Sequence, residues 1–134
     1  MPQPRSWTAV ALPPDVPPPK GAYSPAVRAG DLVFVSGQVP RDVRTGELLG
    51  RDVREQARST LQNLRGALQA AGATLDDVVA VTVYLASIDD WGAFNEVYRE
   101  TFTSPYPTRT VVGAQLHGFL VEISAIAHVG RRGP

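Results

Sequence analysis

The sequence contains no cysteine and only two histidines, and these absences limit the chemistry that it can support. Disulfides and thiolate ligands are excluded, and the histidines alone cannot complete a metal-ligand set. A phosphate-cradling glycine loop and a dinucleotide fingerprint are also missing. We therefore expect no metal and no cofactor, so that any reaction at this protein should be cofactor-free.

Long apolar runs and an excess of one charge sign are absent as well. No window reaches the length that a bilayer-spanning helix needs, and prolines between positions 13 and 19 interrupt the segment behind Arg5, which argues against a signal peptide. The formal net charge is zero, so nothing electrostatic points to nucleic acid or to a membrane surface. We expect a cytoplasmic protein without either partner.

The length and composition are those of one globular domain. The chain has 134 residues, of which 43% are hydrophobic and 19% are charged. We therefore treat residues 1–134 as one domain. Residues 1–20 form a proline-rich N-terminal part, predicted as an edge strand over 6–12 and an extended connector over 13–19.

Hydrophobic periodicity predicts an α+β fold with one mixed β-sheet and two helices packed on one of its faces. The first helix begins at Asp52 and ends at Gly72. The second takes Asp89 as its N-cap and turns Trp91, Phe94, Val97, Tyr98 and Phe102 inward. Strands are predicted over 6–12, 23–28, 31–36, 78–85, 110–116 and 119–129, with 78–85 inside the sheet and covered on both faces. Because two helices cover only one face, self-association should cover the other.

The last two strands contain the charges that suggest a functional site. Arg109 stands at the start of one apolar run, and Glu122 lies inside the other, between Val121 and Ile123. A buried charge without a partner is costly, so each needs an ion pair, a ligand or a wet cleft. The pattern alone leaves a structural ion pair or solvent-facing strand positions open.

Short motifs spread over residues 18–129 resemble the RidA/YjgF/UK114 family, in the order that the family has them. The strongest is Pro-Thr-Arg at 107–109 followed by Val-Glu-Ile at 121–123 and Ala-Ile-Ala at 125–127. The others are Gly-Ala-Tyr-Ser-Pro-Ala at 21–26, Val-Ser-Gly-Gln-Val-Pro at 35–40, Thr-Gly-Glu at 45–47, Gln-Ala-Arg at 56–58, Ala-Ala-Gly-Ala at 70–73 and Asn-Glu-Val-Tyr at 95–98. Motifs of this number and order make the resemblance specific.

The resemblance implies a chorismate-mutase-like fold, a homotrimer with clefts between subunits, and a hydrolase of the 2-iminobutanoate/2-iminopropanoate deaminase type. Such enzymes convert reactive 2-imino acids, or their enamine tautomers, to 2-oxo acids and ammonia. The expected small-molecule partners are therefore a 2-imino acid and its 2-oxo acid product.

Site residues follow from the same resemblance. Arg109 would anchor the substrate carboxylate through its planar fork, and Glu122 would activate water, with desolvation raising its pKa. The residues expected to line the pocket are Tyr23, Ser36, Gly37, Asn95 and Val111. Val111 stands where well-known members have cysteine, so thiol chemistry at that position is excluded and the substrate range should differ.

Two other functions remain open at this level. A non-catalytic binding or regulatory module would use the same cleft for small carboxylates, and would retain Arg109 without depending on Glu122. An endoribonuclease would need a basic surface, which Arg51, Arg54, Arg58 and Arg65 on the outer face of the first helix could supply. No aromatic platform interleaves these arginines, so we interpret them as a solvated face.

Overall fold

A computed structural model describes residues 4–130 of the chain. It contains six strands and two α-helices. The strands are β1 (Thr8–Ala9), β2 (Ala26–Ala29), β3 (Leu32–Gln38), β4 (Val78–Leu85), β5 (Thr108–Gly113) and β6 (Val121–His128). The helices are α1 (Val53–Ala70) and α2 (Trp91–Thr101), and 3-10 turns at Leu75–Asp77 and Ile88–Asp90 precede β4 and α2.

The strands form one mixed sheet in the order β1-β2-β3-β6-β4-β5. Only β4 and β5 run parallel, and every other neighbouring pair is antiparallel. The predicted mixed sheet, the edge position of the first strand and the interior position of β4 are confirmed. Although β5 and β6 are consecutive in the chain, they are not paired, because β4 lies between them.

Both helices pack on one face of this sheet, as predicted, and enclose the core. That face presents Val81, Val83 and Leu85 of β4, which are buried together with Val121 and Ile123 of β6. From α1, Leu61, Leu64 and Leu68 fill the space opposite, one helical turn apart. Each of these side chains contributes about 1.5–3 kcal/mol on burial, which fixes the sheet against α1 and α2.

The first helix begins and ends where the sequence predicts. The Asp52 carboxylate accepts a hydrogen bond from the backbone N–H of Glu55 at 2.9 Å, and the Glu55 carboxylate accepts one from the backbone N–H of Arg51 at 3.0 Å. These contacts satisfy donors that the first helical turn leaves free. After the helix, Gly72 adopts a φ of +81°, a left-handed conformation in which glycine avoids the strain of a side chain.

The second helix differs from the prediction at its N-terminus. Asp89 is not the N-cap, because the chain first makes the 3-10 turn Ile88–Asp90, where the Ser87 hydroxyl accepts from the backbone N–H of Asp89. Phe94, Val97, Tyr98 and Phe102 are buried as predicted, but Trp91 is 43% exposed. As the first residue of α2, Trp91 lies beyond the core and contacts Arg109 instead.

The opposite face of the sheet is not covered within one chain. There β4 presents Ala80, Thr82 and Tyr84, all half-buried, and Phe34 of β3 is 40% exposed. On β6, Ile126 pairs with both Phe34 and Ala80 and so lies on the same face. We call this surface the open face. The sequence predicts that β4 is covered on both faces. Within one chain, only the face toward the helices is covered.

Among residues 4–130, no helix is long and apolar enough to cross a membrane.

Candidate functional site

Arg109 lies on β5 and points toward the helices. Its register partner on β4 is Val81, a core residue, and side chains of paired residues share a face of the sheet. The Nη1 atom of Arg109 donates a hydrogen bond to Oδ1 of Asn95 on α2 at 2.9 Å. Its Cζ atom lies 4.6 Å from the ring centroid of Tyr98 and 5.4 Å from that of Trp91. We call Arg109, Asn95, Tyr98 and Trp91 the Arg109 cluster.

Neutral groups alone hold the Arg109 guanidinium. The Asn95 amide and the two aromatic faces attract the cation, but within the described residues no carboxylate forms an ion pair with it. Its remaining N–H groups have no hydrogen-bond acceptor in that part of the chain. The guanidinium is thus half-buried and fixed in place, with its charge available for an anion.

Tyr98 is the platform on which the guanidinium lies. Its side chain is only 3% exposed and stacks on Phe102 with ring centroids 4.5 Å apart. Burial raises the pKa of Tyr98 to about 12, although the Arg109 charge acts in the opposite direction. Within residues 4–130, the Tyr98 hydroxyl has no hydrogen-bond partner. Tyr98 therefore remains neutral at physiological pH and does not compensate the Arg109 charge.

A small cavity opens beside this cluster. Its volume is about 290 Å³, close to the lower end of the range for small-ligand sites. The cavity is lined by Trp91, Asn95, Tyr98, Arg99, Tyr106 and Arg109. Tyr106 is 50% exposed and adds a third aromatic ring to the wall. The cavity is therefore cationic and aromatic, a combination that suits a small anion.

Glu122 lies on β6, on the open face. Its carboxylate packs against Gly37 of β3, and a Cβ atom at position 37 would overlap Oε2 of Glu122. Glycine is required here for that close approach of backbone and carboxylate. Partial burial raises the pKa of Glu122, while the charge of His117 acts to lower it. The result is a half-buried carboxyl group that accepts a proton more readily than an exposed glutamate.

The other predicted pocket residues divide between these two regions. Tyr23 is 58% exposed and lines a depression together with Gly37. The Ser36 hydroxyl donates to the carbonyl oxygen of Ser24 at 2.6 Å, so its proton is engaged in a structural bond. We call Glu122, Gly37, Ser36 and Tyr23 the Glu122 cluster. Val111 follows Arg109 by two residues on β5, faces the helices and is half-buried.

Within one chain, the two clusters do not form a common pocket. On β4, the register partner of Arg109 is Val81, and that of Glu122 is Tyr84. Val81 and Tyr84 are three positions apart along the strand, an odd offset, so they point to opposite faces. The structure thus groups Arg109 with Asn95, and Glu122 with Gly37, but it leaves the two groups on different faces of the sheet.

Three aromatic residues of the cavity wall were missed as site residues from the sequence. The sequence pattern predicts Trp91 and Tyr98 as core residues, and it does not single out Tyr106. Their spacing offered a signal, because Trp91, Asn95 and Tyr98 recur at intervals of four and three along a helix and therefore share one side of it. That side faces the strand that begins just after Tyr106.

Among the described residues, no group of three or more histidine, aspartate or glutamate side chains is arranged to hold a metal ion.

The sequence and the fold both match known proteins. The sequence model of the family described as Endoribonuclease L-PSP matches residues 14–129. A RutC family protein from Pyrococcus horikoshii is 42% identical over 116 residues, which cover 85% of this chain and 92% of the relative. The 2-iminobutanoate/2-iminopropanoate deaminase of Rattus norvegicus is 42% identical over 112 residues, 82% of each chain.

Among solved structures, E. coli TdcF with bound serine superimposes with a TM-score of 0.80 at 35% identity, covering 90% of this chain and 98% of TdcF. The family model spans the segment that contains both clusters, from Tyr23 to Glu122. The chain therefore belongs to the RidA/YjgF/UK114 family, whose sequence model is described as Endoribonuclease L-PSP.

Proposed function

We propose that this protein hydrolyses reactive 2-imino acids, or their enamine tautomers, to 2-oxo acids and ammonia. The observation that carries the proposal is the Arg109 guanidinium, which neutral groups hold in a cavity without a compensating carboxylate. Keeping such a charge partly buried is costly unless an anion binds to it. A 2-imino acid offers that anion in its carboxylate.

The geometry of the Arg109 cluster favours binding of a carboxylate in the plane of the guanidinium. Aromatic rings lie near the guanidinium, Tyr98 at 4.6 Å and Trp91 at 5.4 Å from Cζ, and Asn95 takes up one N–H group. The other N–H groups form the fork that grips both oxygens of a carboxylate. Arg109 therefore orients the substrate without taking part in bond changes.

Glu122 supplies the proton transfers of the reaction. Protonation of the imine nitrogen makes the imine carbon electrophilic. Glu122 in its carboxylate form removes a proton from water as the water oxygen bonds to that carbon. The resulting tetrahedral carbinolamine then receives the proton on nitrogen. Glu122, again a carboxylate, takes the proton of the carbinolamine hydroxyl as the carbon–nitrogen bond breaks, so that ammonia leaves and the 2-oxo acid remains. Glu122 then passes this proton to ammonia or to water. The raised pKa of Glu122 suits a group that must both accept and return this proton.

Because the two clusters lie on different faces of one sheet, we propose that the active site is shared between copies of the chain. The half-exposed Phe34 and half-buried Tyr84 on the open face favour self-association, which would bring Glu122 of one copy to the Arg109 cavity of its neighbour. A homotrimer closes such head-to-tail contacts by rotation and gives every copy the same site.

Two comparisons support this function. The rat relative carries the name of an imine deaminase, and TdcF was solved with serine, a small molecule with the same carboxylate next to a substituted carbon. The family description as an endoribonuclease receives less support from this chain. On α1, Arg54 and Arg58 pair with Glu96 and Glu100 of α2, so they do not form a free basic stripe for RNA.

The test is an assay in which an amino-acid oxidase generates the imine and semicarbazide traps what remains. We expect the wild-type protein to reduce the trapped adduct and Arg109→Lys to lose most of that activity. Lysine keeps the charge but not the fork, so the affinity for 2-oxobutyrate, measured by calorimetry, should fall about tenfold or more. A wild-type protein that binds 2-oxobutyrate without consuming imine would identify a binding module instead.

A further inference from the structure

A second arginine lines the Arg109 cavity. Arg99 lies on α2 one turn after Asn95, the residue that bonds Arg109, and Asn95 lies one turn after Trp91. Residues at this spacing are neighbours on a helix, with Cβ atoms about 5–6 Å apart. Trp91, Asn95 and Arg99 therefore form one stripe along the cavity, and Arg99 is the basic residue at its far end.

The charge of Arg99 acts on Glu96, whose pKa it helps to lower, but Arg54 is the stronger partner of that carboxylate. The nearest carboxylates on its own helix are Glu96 and Glu100. Glu96 pairs with Arg54, and Glu100 pairs with Arg58, both across the groove to α1. Arg99 itself forms no ion pair within residues 4–130. Among residues 4–130, the lining of the cavity thus includes two arginines and no aspartate or glutamate.

We propose that the site prefers imines of acidic amino acids, that is, 2-imino dicarboxylic acids of four or five carbons. This proposal rests on the proposed function and adds the substrate class. Arg109 binds the carboxylate next to the imine, and Arg99 attracts the carboxylate of the side chain. A volume of about 290 Å³ is small enough to bring both ends of such a molecule close to an arginine.

The chemistry of this substrate also defines its source and its fate. Oxidation of the amine of a dicarboxylic amino acid supplies this imine, with the oxidant consumed in that earlier step, and elimination of water from a 3-hydroxy dicarboxylic amino acid supplies it without an oxidant. Hydrolysis here adds water across the carbon–nitrogen bond and releases ammonia and a 2-oxo dicarboxylate. No oxidant or reductant is needed at this protein.

Calorimetry with two stable product mimics tests the proposal. 2-Oxoglutarate carries two carboxylates, and 2-oxobutyrate carries one. In wild type the dicarboxylate should bind more tightly, and Arg99→Gln should reduce the ratio of the two affinities by about two- to fivefold, the usual effect of one partly exposed charge pair. The matched control is Arg65→Gln, which removes an exposed arginine of α1 outside the cavity.

The affinity for 2-oxoglutarate relative to that for 2-oxobutyrate should fall in Arg99→Gln and stay at the wild-type value in Arg65→Gln. At high salt, the difference in this ratio between wild type and Arg99→Gln should be smaller. An equal ratio in wild type and Arg99→Gln would overturn the proposal. The proposed function would still stand in that case if Arg109→Lys weakened both ligands and wild type consumed imines. A wild-type protein that bound neither mimic and consumed no imine would overturn both.

Discussion

The Arg109 cluster and the Glu122 cluster are built in different ways. In the first, one chain holds the guanidinium in place, because the amide and rings of α2 contact it over the helix-covered face. In the second, the carboxylate lies on the open face and depends on the absence of a side chain at Gly37. The first cluster is surrounded by its own subunit, and the second is open on one side.

Under the proposed function, the Arg109 cluster serves substrate binding and the Glu122 cluster serves proton transfer. A single copy of the chain already presents a fixed cation in a cavity, so the recognition of a carboxylate is prepared within the subunit. In this proposal, Glu122 as the acid–base group reaches that carboxylate only if another copy brings it there. Under the proposed function, assembly therefore controls turnover while each subunit retains the anion anchor.

Replacing Glu122 should give the largest effect on activity and distinguish the roles of the two clusters most clearly. Glu122→Gln keeps the shape of the side chain but cannot exchange the proton, so the rate of imine hydrolysis should fall by about 10²- to 10⁴-fold. The affinity for 2-oxobutyrate should change far less, since Arg109 and the groups that hold it are unchanged. Turnover at the wild-type rate in the imine assay would show that Glu122 does not activate the water.

A smaller loss is expected when the Glu122 carboxylate is displaced rather than replaced. In Gly37→Ala the new methyl group overlaps Oε2 of Glu122, so the carboxylate must move away from its place on β3. We expect a loss of about tenfold or more in kcat, since a misplaced catalytic group of this kind can cost up to about 10²-fold. The imine assay measures it, with thermal unfolding run in parallel.

The matched control for this substitution is Gly66→Ala. Gly66 lies on the exposed side of α1, where a Cβ atom meets nothing within 4 Å. Alanine in a helix interior stabilises the fold by about 0.5–1 kcal/mol relative to glycine. This variant should therefore be slightly more stable than wild type and fully active. Equal activity of the two glycine variants would mean that the position of Glu122 is unimportant.

The smallest effect concerns the pH dependence of stability. Because burial raises the pKa of Glu122, the folded chain holds the proton of this group more tightly than the unfolded chain does. The stabilisation is complete below the ordinary pKa of glutamate and is lost as the pH rises through the folded value. Glu122→Gln should therefore increase the free energy of unfolding at about pH 7 and not at about pH 4. The increase should be less than about 1 kcal/mol because the side chain is partly exposed, and a rise in Tm at the neutral pH measures it.

A Tm difference that is larger at acidic than at neutral pH would contradict a raised pKa for Glu122.

The sequence was sufficient to predict the sheet with two helices, because alternation along the strands and the three- and four-residue spacing along α1 are strong local signals. It was not sufficient at the start of α2. There the 3-10 turn at Ile88–Asp90, which Ser87 caps, shifts the N-cap of the helix from Asp89 to Asp90, a change of register that propensities do not encode. The same shift leaves Trp91 outside the core and next to Arg109.

The arrangement of the site could be predicted only in part. Arg109 and Glu122 stand out as charges in apolar strands, and their family resemblance suggested a shared cleft. Their separation onto two faces depends on the order of strands, because β4 lies between β5 and β6 and sets the register of both. Strand order is a long-range property, and a pattern within one strand does not contain it.

The most direct test of a site shared between copies is complementation between two inactive variants. Arg109→Ala and Glu122→Gln are co-expressed with different tags, and the mixed oligomers are purified and assayed for imine hydrolysis. If Arg109 of one copy works with Glu122 of its neighbour, random mixing in a closed ring restores about a quarter of the wild-type sites. The account predicts this recovery. Mixed oligomers as inactive as either parent would contradict it and place both residues of each working site in the same chain.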